Sequence, residues 1–255
     1  MNENLPIGFF DSGLGGISVL KEAIKLLPNE NYIYYGDSKN APYGVRPLEE
    51  VVELSLKSIE YLVDQGVKAV VVACNTATSA AIIAARDKYT DLPIIGIEPA
   101  LKLAADSGDS GKILVLATER TLAEEKFNSL FNKFNKGRTI IKKSLPELVN
   151  IVEAGEVKEK SYDYLKEELK DTPRDLESIV LGCTHYPFAK KEISAVLGED
   201  IPIFDGSFGV SKRLKSILTQ QNMLNKSNKK GSIEFRNSLN SKEIINLSYK
   251  LLNLK

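Results

Sequence analysis

The chain has 255 residues, 43% of them hydrophobic, and its 34 basic and 34 acidic side chains balance to a formal net charge of zero. That length supports one large core or two modest ones. The balance excludes the clustered basic excess of a nucleic-acid binder. No apolar run approaches the roughly 18 residues of a membrane span, and residues 1–6 lack the basic-then-apolar order of a signal peptide.

In chain order, short apolar runs at 7–10, 32–35, 69–73 and 93–97 read as strands, followed by 113–117, 139–141, 178–181 and 201–204. Amphipathic helices are predicted between them. Val51, Ser55, Ile59 and Leu62 share one helical face, and Ala123, Phe127, Leu130 and Phe134 share another. Alternation of this kind predicts an α/β fold with mainly parallel sheets covered by helices. Eight or so strands exceed one compact sheet, so two similar α/β halves are expected. The first comprises 1–97 with 206–255 and the second 98–205, with a crossing near Pro93–Pro99 and a return near Asp205-Gly206-Ser207. A helix carrying Val210, Leu214, Ile217 and Leu218 returns to the first half. The basic stretch 225–232 is expected to be a solvated loop, and a strand near 233–235 and a helix over 244–252 close the chain.

The two cysteines occupy matching contexts. Val70-Val71-Val72-Ala73-Cys74-Asn75-Thr76 and Ile179-Val180-Leu181-Gly182-Cys183-Thr184-His185 each run from a buried strand into a polar turn. With no CxxC spacing, a disulfide framework or a thiol-ligated zinc is not expected, and the thiols should be the reduced ones of a cytoplasmic protein. Ligands of open parallel sheets bind at the carboxyl ends of strands, where both thiols fall. A helix start after each thiol predicts a pKa below the ordinary ~8.5. A buried cysteine is also a small hydrophobe, so the residue type alone leaves a purely structural reading open.

His185, the only histidine, is placed to tune Cys183 or to move its proton, and Asp11 to do the same for Cys74 as a proton acceptor. Asn75, Thr76 and Thr184 suit the carboxylate and ammonium of an amino acid. Asp11-Ser12-Gly13-Leu14-Gly15-Gly16 is either a tight strand-to-helix turn or a place where backbone amides meet a phosphate or carboxylate. It completes neither a P-loop nor GxGxxG. Pro42-Tyr43-Gly44 is either a lid or a simple turn.

Together, Phe10-Asp11-Ser12-Gly13-Leu14-Gly15-Gly16, Tyr35-Gly36-Asp37, Pro42-Tyr43-Gly44, Ala73-Cys74-Asn75-Thr76 and Gly182-Cys183-Thr184-His185-Tyr186-Pro187 resemble bacterial glutamate racemase. The resemblance runs from Ile7 to about Leu218. It implies a cofactor-independent isomerase interconverting L- and D-glutamate for peptidoglycan synthesis, with two pseudo-symmetric domains, a site in the cleft between them, and a homodimeric assembly. Cys74 and Cys183 match the paired acid/base thiols. Asp11, Ser12, Pro42, Tyr43, Gly44, Asn75, Thr76, Thr184 and His185 match substrate-contacting or thiol-assisting positions. Thr118 and Thr121 resemble further contacts, and Glu153 resembles an acidic residue near the second thiol. The chain departs from the pattern at Ser38–Ala41, which lacks the arginine common before Pro-Tyr-Gly, and at Val45-Arg46-Pro47. Two other readings are an aspartate racemase and a non-catalytic amino-acid-binding or thiol-sensing module.

Overall fold

A computed structural model describes residues 3–98, 100–106, 111–123, 128–129, 132–133 and 138–254. Phe127, Leu130 and Phe134 of the predicted helical face lie outside these residues, as does Pro99 of the crossing.

Among the described residues, nine strands build two fully parallel sheets. The first has the order β4-β3-β1-β2-β9, from β1 (Ile7–Asp11), β2 (Tyr32–Gly36), β3 (Ala69–Val72), β4 (Ile94–Gly96) and β9 (Ile233–Asn237). The second has the order β6-β5-β7-β8, from β5 (Lys112–Leu116), β6 (Ile140–Lys143), β7 (Leu176–Leu181) and β8 (Ile203–Asp205). Read from its other edge, the second sheet runs β8-β7-β5-β6, which repeats the β4-β3-β1-β2 of the first. Strands β3 and β7, the ones that precede the two thiols, occupy equivalent places.

The unbroken apolar run of β3 follows from burial on both faces. Val71 and Ala73 point into one core cluster, while Val70, Val72 and Cys74 point into another, the period-2 alternation of a strand. Helix α1 (Ile17–Leu26) and the helix Ser207–Gln220 pack together on the first sheet. Helix α2 (Leu48–Asp64) lays the predicted stripe Val51, Ser55, Ile59 and Leu62 against the other core. The Leu101–Asp106 helix packs on β7 and β8. One apolar cluster is continuous across both sheets, with Phe9 and Val71 from the first and Leu114 and Ile179 from the second. Full burial of each such side chain is worth about 1.5–3 kcal/mol.

The 225–232 stretch is largely exposed, as its composition predicts, and is pinned at one end by the Asn225 amide donating to Glu30. Among the described residues no helix is long and apolar enough to cross a membrane, and no group of three metal-ligating side chains is found.

Candidate active site

The carboxyl ends of the two sheets face a shared cavity of about 120 Å³. At the ~10–15 Å³ needed to seat one water, it has room for on the order of ten non-hydrogen atoms, the size of a small amino acid. The first sheet supplies Ser12 after β1, the Pro42–Val45 loop after β2, and Cys74, Asn75 and Thr76 after β3. The second supplies Thr118 and Glu119 after β5, Ser144 after β6, and Gly182, Cys183, Thr184 and His185 after β7. Both thiols are free and buried.

Cys74 is the N-cap of helix α3 (Asn75–Lys88). Its sulfur accepts from the Ala77 amide at 3.4 Å and its thiol donates to Ser12 Oγ at 3.7 Å. The expected lowering of its pKa is corrected. Burial and then the nearby Asp11 charge push the thiol up to about 12, outweighing the Ala77 amide and the Ser12 hydroxyl. The residues after Cys183 form a one-turn 3-10 helix, Tyr186–Ala189, before the longer helix Lys190–Leu197, so no α-helix starts at this thiol.

Cys183 Sγ lies 3.7 Å from His185 Nδ1, and His185 Nε2 lies 2.6 Å from Glu153 Oε1. Burial alone would lower the imidazole pKa, but its contacts with Cys183 and Glu153 outweigh burial and hold it well above the ordinary 6.5. Glu153 therefore stands behind His185, one contact removed from the sulfur. Asp11 Oδ1 accepts from Thr184 Oγ1 of the opposite sheet at 3.2 Å, while its charge acts on Cys74. Asp11 is fully buried and, among the described residues, its Oδ2 has no partner. Burial raises its pKa from 3.8 to about 6, the His185 charge lowering it less than burial raises it.

The glycine turn after β1 does meet an anion through its backbone, and the anion belongs to the protein. The Leu14 amide donates to Glu153 Oε1 at 2.7 Å. Gly13 and Gly15 permit this approach: a Cβ at Gly13 would stand 2.1 Å from Glu153 Oε1, and one at Gly15 would stand 2.5 Å from His185 Nδ1.

Two of the candidate contact residues turn their hydroxyls elsewhere. Tyr43 Oη donates to buried Asp37 at 2.7 Å, so this residue lines the cavity with the remainder of its atoms. Thr121 does not line the cavity; it sits behind Thr118, whose Oγ1 is 3.0 Å from its own. Thr118 Oγ1 also lies 3.5 Å from Thr76 Oγ1 across the cleft. Asn75 Oδ1 and Ser144 Oγ are buried without partners among the described residues, as acceptors and donors awaiting a ligand would be.

Residues 16–207 match the Asp/Glu/Hydantoin racemase family. The chain belongs to that family. Among the most similar relatives of this racemase-family chain is the glutamate racemase of Clostridium novyi, 53% identical over 253 residues and 98% of each chain. A glutamate racemase of Francisella tularensis, solved in complex with D-glutamate, superposes with a TM-score of 0.84 at 28% identity, covering 98% of this chain and 94% of that one. The RacE1 isoform of Bacillus anthracis gives a TM-score of 0.85 at 29% identity, covering 99% and 95%.

For this racemase-family member, sequence reasoning missed Val45, Glu119, Ser144, Pro146, Val149 and Gly182 in the cavity wall. Ser144 had a legible signal, since it directly follows a strand whose neighbours carry Thr118 and, one further on, Cys183. Glu119, Pro146 and Val149 sit on helices whose tilt toward the cleft is a tertiary matter.

Proposed function

We propose that this chain interconverts L- and D-glutamate without a cofactor, by a two-base mechanism carried by Cys74 and Cys183. The observation that carries the reading is that two buried free thiols, at the ends of equivalent strands of two different sheets, line one small cavity in a chain of this family. Reprotonation from the opposite side inverts a stereocentre, and two sulfurs contributed by two lobes suit that task. The lobes proposed are 1–97 with 206–255 and 98–205.

In the L-to-D direction a Cys183 thiolate takes the α-proton and becomes a thiol, while the electron pair stays on Cα. The Cys74 thiol then delivers its proton to the other face and is left as a thiolate. The reverse direction exchanges the roles, and one proton exchange resets the pair. A Cys74 thiol held protonated by burial is the resting acid for this direction, and His185 Nδ1 holds the proton of Cys183 while that sulfur is ionised. The orphaned Asn75 Oδ1 suits the substrate ammonium, and ionised Asp11, which does not itself line the cavity, adds its negative charge from behind Thr184. Hydroxyls and amides of Ser12, Thr76, Thr118 and Gly44 suit the substrate carboxylates. Catalysis then depends on donors fixed before reaction at the oxygens where carbanion charge spreads. Acid–base help alone gives about 10²- to 10⁴-fold per group. Peptidoglycan supply, a cytoplasmic location and a homodimeric assembly complete the proposal, all three carried over from the resemblance.

The test is racemization of each enantiomer in D₂O with no added pyridoxal phosphate, followed by chiral analysis. Deuterium at Cα and loss of turnover in both Cys74→Ala and Cys183→Ala are expected. Near-full turnover in either variant, or product without deuterium, defeats the mechanism. Turnover of aspartate in place of glutamate would move the substrate assignment to the rival racemase.

A further inference from the structure

The turn Gly13-Leu14-Gly15 performs no step in the reaction proposed above, yet it presses against the group that serves Cys183. A single oxygen, Glu153 Oε1, faces two nitrogens: the Leu14 amide at 2.7 Å and His185 Nε2 at 2.6 Å. A backbone amide can only donate, and a carboxylate oxygen accepts from both sides at once. His185 must therefore carry its N–H at Nε2. Nδ1, 3.7 Å from Cys183 Sγ, is then the nitrogen that gains or gives up the proton shared with sulfur. An orienting partner behind a functional imidazole fixes which nitrogen is available in just this manner.

That orienting carboxylate is itself held from the other lobe. Glu153 ends the helix Pro146–Glu153 of the second lobe, whereas Leu14 follows β1 of the first. The side chain is 23% exposed, so without the Leu14 amide its carboxylate is free to turn toward water. The partners of Cys74, namely Ser12 and the Ala77 amide, both belong to its own lobe. The two thiols thus differ in what keeps them competent.

We infer that the Leu14 backbone amide, admitted by Gly13, is a positioning group for Cys183: it holds Glu153 Oε1 across the lobe boundary, so that His185 presents Nδ1 to Cys183 only while the lobes are in contact. Lobe closure and the proton-accepting competence of Cys183 are coupled through this amide, whereas the direct hydrogen-bond partners of Cys74 stay with it in its own lobe. The inference rests on the reading of Cys183 as an acid/base group, but its test needs no turnover.

The experiment is alkylation of the ligand-free protein by iodoacetamide, with Cys74 and Cys183 quantified separately by mass spectrometry across pH. Gly13→Ala places a methyl group 2.1 Å from the present position of Glu153 Oε1 and displaces the carboxylate. At neutral pH the Cys183 rate should fall by about 10- to 100-fold, the range for losing a group that orients a functional histidine, and its pH profile should move. The Cys74 rate should stay unchanged, which also reports an intact first lobe. Glu153→Ala should reproduce the loss, and Gly13→Ala should add nothing on top of it. An unchanged Cys183 rate in Gly13→Ala, equal losses at both thiols, or additive losses in the double variant would overturn the inference. Should the wild type show this alkylation pattern but no racemization, the proposed function falls and the coupling stands.

Discussion

Asp11→Asn should make the protein more stable and less active, and the gain in stability should depend on pH. Asp11 is fully buried, and its folded pKa of about 6 lies above the unfolded 3.8 because burial penalises the ionised form. Between those values the folded state holds a proton that the unfolded state has released, so stability falls as pH rises through the window and is lowest above about 6. At ~1.4 kcal/mol per pH unit the loss is ~3 kcal/mol. Asparagine is neutral at every pH and keeps an oxygen for Thr184 Oγ1. Its Nδ2 replaces Oδ2, which has no partner now, so the number of unpaired buried atoms does not grow. Thermal melts should show Asp11→Asn and wild type together near about pH 4, where both side chains are neutral. At about pH 7.5 the variant should melt higher by ~6–12 °C, using about 2–4 °C per kcal/mol for a chain of this size. Equal stabilisation at both pH values, or none at the higher one, would show that desolvation of this carboxylate is not what the fold sustains.

Other outcomes follow from the same geometry. The racemization efficiency of the wild type should rise with pH along an acidic limb near about 6, where Asp11 ionises, and Asp11→Asn should show low activity without that limb. Tyr43→Phe removes one of the two side-chain donors to buried Asp37 and leaves Asn40 Nδ2 as the other. It should cost about 1.5–3 kcal/mol in denaturant melts and raise KM more than it lowers kcat, because the loop forms a wall of the cavity. Lys68 is fully buried far from the site and donates to Glu30, to the Glu3 carbonyl and to the Met223 carbonyl. Lys68→Met leaves the buried Glu30 carboxylate without its counter-charge and, among the described residues, with only the Asn225 amide as donor, and should cost about 3–5 kcal/mol, read as a lowered denaturation midpoint. A loss below about 1 kcal/mol would mean that Glu30 finds water.

The strands, their parallel pairing class and the two thiol-bearing turns are legible along the chain before any fold is known. A strand buried on both faces must be a continuous β-branched or apolar run, and chain order alone displays it, as in 69–73 and 178–181. The face of helix α2 was legible for the same reason, because its burial is periodic along the chain. The partners within the site are set by contacts between segments distant in the chain. Thr184 lies far from Asp11 in sequence and Glu153 far from Leu14, yet each pair meets because the carboxyl edges of two sheets face one another. The lowered pKa that a helix start predicts for Cys74 fails for the same reason. A helix N-terminus is a local signal that sequence displays, whereas desolvation and the charge of Asp11 are sums over everything packed around the sulfur.

In the proposed mechanism one sulfur approaches the substrate from each sheet, so that the hydrogen ion would leave toward one and arrive from the other. Local chemistry is written along the backbone in one dimension, so residue type and strand boundary were there to be read. Opposition between two surfaces is a relation between distant segments, and it exists only once the chain has closed on itself.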